Sequence, residues 1–120
     1  MANILIAVSS DIIATALETS LAQHDIHSCR TGTDALALLE AVRPDIFILE
    51  LTLPDTSGLS VLQATRYKPP VILALTPLLT DAVQQATEDA GVQALLLLPC
   101  TVGSILRHLE ALTENPTPVV

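Results

Sequence analysis

The 120 residues predict an α/β domain built as a doubly wound parallel sheet of five strands and five helices. Three observations lead there. Apolar runs of five or six residues alternate with stretches whose apolar residues recur at helical spacing. Pro44, Pro54, Pro69, Pro70 and Pro99 fall between those segments and not inside them. The runs at 46–49, 71–75 and 94–98 are apolar on both faces, as parallel strands covered by helices on two sides require.

The first strand is expected at 3–8, followed by a helix over 11–23 in which Ile13, Leu17 and Leu21 share a face. A strand at 26–30 and a helix at 33–42 repeat the pattern, then a strand at 45–50 and a helix at 58–66. The strand at 71–75 leads to a helix at 80–90, with Thr80 placed to cap its start and Gly91 to end it. The strand at 94–98 and a helix at 102–112, capped by Thr101, complete five βα units. Right-handed crossovers then favour the flavodoxin-like strand order 2-1-3-4-5, with any site at the carboxyl ends of strands 1, 3 and 4. Residues 1–112 form the predicted domain. Residues 113–120, with two prolines, are expected to be a tail or a linker.

Composition removes several function classes. Half the residues are hydrophobic, enough for a core without disulfide or structural metal, yet there is one Phe, one Tyr and no Trp. No aromatic platform is available for bases or a flavin ring, and a formal charge of −8 opposes contact with nucleic acid phosphates. The longest apolar stretch, 94–99, is too short to span a bilayer, and the Met-Ala-Asn start lacks the basic flank of a signal peptide, so the chain is expected to be cytoplasmic. Cys29 and Cys100 belong near opposite edge strands, roughly 19 Å apart at about 4.8 Å per strand, and are expected to be free thiols. His24, His27 and His108 have no metal-ligand spacing and read as solvated positions.

The strand ends bring Val8, Ser9, Ser10 and Asp11 to the functional edge with Glu50, Leu51, Thr52, Thr76, Leu98 and Pro99. Here Pro44-Asp45, an apolar run, Glu50, Leu53-Pro54 and Gly58 are similar to the corresponding segment of the receiver domain of bacterial response regulators, the CheY-like family. Gly32 with Ala35-Leu36, Thr76, Ala90-Gly91 and Pro99 extend the resemblance from about Ile4 to Leu112. The resemblance implies an acidic pair after strand 1, an acceptor Asp after strand 3, bound Mg²⁺, a hydroxyl after strand 4, and a Lys and an aromatic switch residue on strand 5. In this chain the acidic pair is Val8 and Ser9, or Ser9 and Ser10 if the loop shifts by one residue. The acceptor is Glu50, the Lys is Leu98, the aromatic is Leu95, and only Thr76 persists.

Mg²⁺ is usually held by one or two carboxylates with phosphate and water, so a pocket offering Glu50 and at best Asp11 should bind it weakly or not at all. Phosphoryl transfer rests on positioning and charge neutralisation, and self-phosphorylation is not expected. Glu50 has two readings: a permanent carboxylate that bonds Ser9 or Thr76 and mimics the phosphorylated state, or a buried remnant, protonated or hydrogen-bonded, with the second favoured. Ser9 and Ser10 read as helix caps ahead of an anion site. The leading function is a non-catalytic receiver of a two-component regulator that signals by protein contact, with a transcription-factor output, a histidine kinase partner or a homodimer. Its expected surface is helix 4, strand 5 and helix 5, with Leu95 beside Leu79, Val83 and Leu106. Two alternatives remain: a phosphoreceiver acting through Asp11, Asp55 or Glu50 in a remodelled acidic pocket, and a small-ligand-binding flavodoxin-like protein.

Overall fold

The computed structural model describes residues 2–114. Its elements run β1 (Asn3–Ala7), α1 (Asp11–Ser20), β2 (Asp25–Cys29), α2 (Gly32–Val42), β3 (Ile46–Glu50), α3 (Gly58–Ala64), β4 (Val71–Thr76), α4 (Asp81–Asp89), β5 (Ala94–Leu97) and α5 (Val102–Glu114). All five strands are parallel in the order β2-β1-β3-β4-β5, the topology the alternation predicts.

The alternation of side chains along each strand divides the core into two layers. Leu5, Ala7, Phe47, Leu49, Ile72 and Ala74 face α2, α3 and α4, where they meet Ala35, Leu39, Val61 and Leu62. Ile4, Ile6, Ile48, Leu73 and Leu75 face α1 and α5, where they meet Ala14, Leu17, Ile105 and Leu109. All five residues of β3 are buried, because two strands flank it and helices cover both faces. This is why its sequence shows no polar alternation before Glu50.

Caps set most element boundaries. Thr80 Oγ1 accepts the N–H of Val83 and Thr101 Oγ1 that of Ser104, while Gly91, at φ 87, follows the last turn of α4. Helix α1 stops at Ser20, three residues short of the predicted end, since Leu21 caps it and the N–H of His24 bonds Leu21 O to turn the chain into β2. Helix α3 likewise stops at Ala64, where Thr65 becomes extended. Helix α5 runs to Glu114, so the first two residues of the predicted tail are helical; the remainder, 115–120, lies outside the described residues. His24 is not simply solvated as expected: its Nδ1 accepts the N–H of Ala2 at 3.0 Å, tying the start of β1 to the α1–β2 turn. Cys29 and Cys100 are free, and burial raises the thiol pKa of Cys29 to about 11.

Helix α3 starts hard against the end of β3, and its first residue has no room for a side chain. A Cβ on Gly58 would lie 2.8 Å from Glu50 O and 3.0 Å from Leu51 Cα, both backbone atoms. Gly58→Ala should therefore lower stability by about 1–3 kcal/mol, as overpacking does. Urea unfolding checks this, and an unchanged midpoint would show that the strand end yields.

Candidate functional site

Residue parity along the strands decides what the carboxyl edge can offer. Val8 follows Ile4 and Ile6 onto the α1/α5 side and is wholly buried there, so this predicted pocket position is part of the core and presents nothing to a ligand. Glu50 follows Ile46 and Ile48 onto the same side, at the mouth of the sheet, with a relative exposure of 9%. A carboxylate so enclosed needs bonded partners.

Ser9 supplies two of them. Its N–H donates to Glu50 Oε1 at 2.8 Å, and its Oγ lies 2.9 Å from Oε1 and 3.1 Å from Oε2. Thr52 Oγ1 donates to Oε2 at 3.0 Å from the other side. Ser10, one residue on, caps α1 by accepting the N–H of Ile13 at 3.2 Å. The two serines thus divide the work: Ser10 is the expected cap, while the donors of Ser9 are occupied by the protein's own carboxylate.

The other candidates point elsewhere. Thr76 Oγ1 donates to Leu78 O at 3.0 Å and accepts the N–H of Leu78 at 3.2 Å, and Glu50 makes no bond to it. Asp11 is exposed and accepts from Arg30 Nε at 2.7 Å, so its carboxylate is turned toward the end of β2. Leu98 packs on the α1/α5 core, and its N–H bonds Thr76 O at 2.7 Å. The polar groups that the described residues bring to this edge are thus one carboxylate and the two hydroxyls bonded to it, whereas Mg²⁺ takes one or two carboxylates with several further oxygens.

The expected contact patch is also rearranged. Leu95 and Val83 pack against the α2–α4 core, whereas Leu106 packs against the opposite, α1/α5 core. The leucines that reach solvent at this end are Leu78, Leu79 and Leu97, at 63%, 41% and 49%. Leu97 shares the strand face of Leu95 but lies beyond it toward the carboxyl end, which its two-residue offset on β5 could have signalled.

Asp55 had weight in the sequence only as an alternative acceptor. In the fold its carboxylate accepts the N–H of Gly32 at 2.7 Å and the N–H and Oγ1 of Thr33 at 3.0 and 2.8 Å. Thr31 Oγ1 takes the next free donor, the N–H of Asp34 at 3.2 Å. A side chain from the β3–α3 loop thus completes the cap of α2, favoured by the positive end of the helix dipole. No local pattern announces a bond spanning 22 or 23 residues.

The chain matches the family model described as "Response regulator receiver domain" over residues 4–110. It is 33% identical over 100 residues to the regulatory protein LuxO of Vibrio cholerae, covering 76% of this chain and 22% of LuxO. It is 37% identical over 68 residues to the transcriptional regulatory protein AfsQ1 of Streptomyces coelicolor, covering 55% of this chain and 30% of that protein. It is 28% identical over 117 residues to the probable transcriptional regulatory protein TcrX of Mycobacterium tuberculosis, covering 94% of this chain and 50% of that one. The chain thus spans half or less of these relatives. Among solved structures it is similar in fold to the non-phosphorylated HemR receiver domain of Leptospira biflexa, with a TM-score of 0.86 at 19% identity and full coverage of both chains. The chemotaxis protein CheY4 of Vibrio cholerae gives 0.83 at 25% identity, covering 93% of this chain and 98% of that one.

The Asp55 cap has a consequence in acid. Hydrogen bonds from Gly32 and then Thr33 lower its carboxyl pKa from 3.8 to about 2. A depressed folded value contributes stability that is present above 3.8 and lost as the pH falls toward 2. The urea midpoint of the wild-type chain should fall across that window more steeply than that of Asp55→Asn. Parallel profiles would show that the carboxylate charge at Asp55 does not hold α2.

Proposed function

Because this chain belongs to the response regulator receiver family, we propose that it is a receiver that signals by protein contact, without accepting a phosphoryl group. The observation that carries this reading is the bonding of Glu50. The carboxylate at the acceptor position already takes the N–H and Oγ of Ser9 and the Oγ1 of Thr52. Phosphoryl transfer draws its rate from positioned positive charge and metal, and the positions concerned are Val8, Ser9 and Leu98. Mg²⁺ binding at Glu50 or Asp11 is accordingly weak or absent in this reading.

The bonds from Ser9 suit both readings of Glu50, the mimic and the hydrogen-bonded remnant. The remnant is favoured by Thr76, the other partner open to a mimic, whose hydroxyl is bonded to the backbone of Leu78 instead. The remodelled acidic pocket also loses support, since Asp11 is bonded to Arg30 and Asp55 to the start of α2. A small-ligand role gains none at this edge, where the Ser9 donors are taken.

The wider context belongs to the same proposal. The relatives are regulatory proteins two to several times longer than the stretch matched, which suits a domain whose residues 113–120 lead toward an output domain in a transcription regulator. Contact with a histidine kinase, an output domain or a second copy would use the α4–β5–α5 side, where Leu78, Leu79 and Leu97 are exposed.

Incubation with Mg²⁺ and acetyl phosphate, read by intact mass, should leave the chain unmodified. Titration with Mg²⁺ and beryllofluoride should leave the amide signals of Glu50, Thr76 and Leu98 in place. A phosphoryl adduct, or saturable shifts at those residues, would overturn the proposal.

A further inference from the structure

At the opposite, amino edge of the sheet the chain gathers positive charge that its acidic composition does not lead one to expect. Of five Lys and Arg residues, Arg43, Arg66 and Lys68 lie around Tyr67, between the end of α2 and the start of β4. Lys68 is committed to structure, its Nζ donating to Leu62 O at 2.8 Å and to Ala90 O at 3.4 Å. Arg43 and Arg66 form no salt bridge among the described residues. Together with Glu40 and Tyr67 they line a pocket of about 310 Å³.

Two features make this more than a pair of surface arginines. Tyr67 is held at both ends: its hydroxyl donates to Pro44 O at 2.8 Å, and its carbonyl accepts from Thr65 Oγ1 at 2.9 Å. Its ring is thereby fixed, and the Arg43 guanidinium sits 5.7 Å from the ring centre. Arg43 also occupies a position its side chain disfavours. It is the α2 C-cap with φ 51, a left-handed conformation that glycine or asparagine adopts more easily. A strained cap that bears an arginine directs attention to what the guanidinium does.

We infer that Arg43, Arg66 and Tyr67 form a recognition site for a single carboxylate group. Guanidinium forks match the planar carboxylate geometry. Two guanidiniums against the Glu40 carboxylate leave one net positive charge in the wall, which suits a monoanion better than a phosphate dianion. Asp45, the nearest other carboxylate in sequence, accepts the N–H of Asn3 at 3.0 Å and does not line the pocket, but its charge reaches Tyr67 and partly offsets that of Arg43. The volume lies at the small end of ligand pockets. The site stands independently of the carboxyl edge and of the fate of Glu50.

Acetate, and a short uncharged peptide carrying one Glu side chain, distinguish a free carboxylate ligand from an acidic side chain of a partner. Either should produce saturable amide shifts at residues 40–43 and 65–68 of the intact chain, and the tighter of the two identifies the source. Arg66→Ala should weaken that binding roughly tenfold, the scale of a lost charge-assisted hydrogen bond. Arg43→Gly should weaken it similarly while leaving the thermal midpoint unchanged or raised, because glycine relieves the left-handed cap. The inference is overturned if chloride at equal ionic strength gives the same shifts, if inorganic phosphate binds more tightly than both probes, or if neither substitution changes the binding.

Discussion

Strand β3 is buried along its whole length and ends in a carboxylate, and the arrangement around it follows from that combination. A strand with neighbours on both sides and helices over both faces must be apolar up to the point where the layers open. Ile46 to Leu49 meet that demand, and Glu50 arrives at the opening still 9% exposed. An ionisable group there needs donors, and those that bond it among the described residues come from the loops after β1 and β3. Ser9 and Thr52 supply them, and Gly58 lets α3 start close enough to keep the strand end enclosed.

These bonds divide the carboxyl edge into two unlike halves. The loops after β1, β2 and β3 are tied to one another by polar contacts: Ser9 to Glu50, Arg30 to Asp11, and Asp55 to Gly32 and Thr33. The half formed by β4 and β5 has Leu98 bonded to Thr76 and Thr76 turned onto Leu78, and it exposes leucines. Here the hydroxyl of Thr76 closes its own loop, so the polar and apolar halves share no side-chain hydrogen bond through it.

The five parallel strands and the caps at Thr80, Gly91 and Thr101 were legible because each rests on local or periodic information, and the strand order because right-handed crossovers leave few alternatives. Apolar runs, helical spacing, prolines and capping residues report on neighbours within a few positions. That Val8, Ser9, Glu50 and Leu98 stand at strand ends was legible for a different reason: once the strands are placed, the residue at each end is read directly from the sequence. Helix ends were less so. Whether 21–23 continue α1 depended on where β2 had to begin, which the bond of Ala2 to His24 helps to settle.

What only the tertiary structure decided is the pairing of groups distant in sequence. The sequence placed Glu50, Ser9, Thr52, Asp11 and Asp55 at one edge, but it could not say that Asp11 would turn to Arg30, Asp55 to the start of α2, and Glu50 to Ser9 in preference to Thr76. Nor could it separate Leu95 from Leu106, which belong to opposite layers, or bring Arg43 onto Tyr67. The physical reason is that a hydrogen bond or a packed pair depends on ångström-scale direction, set by strand register and loop path together, whereas the pattern that specifies a strand or helix is satisfied by hydrophobicity alone.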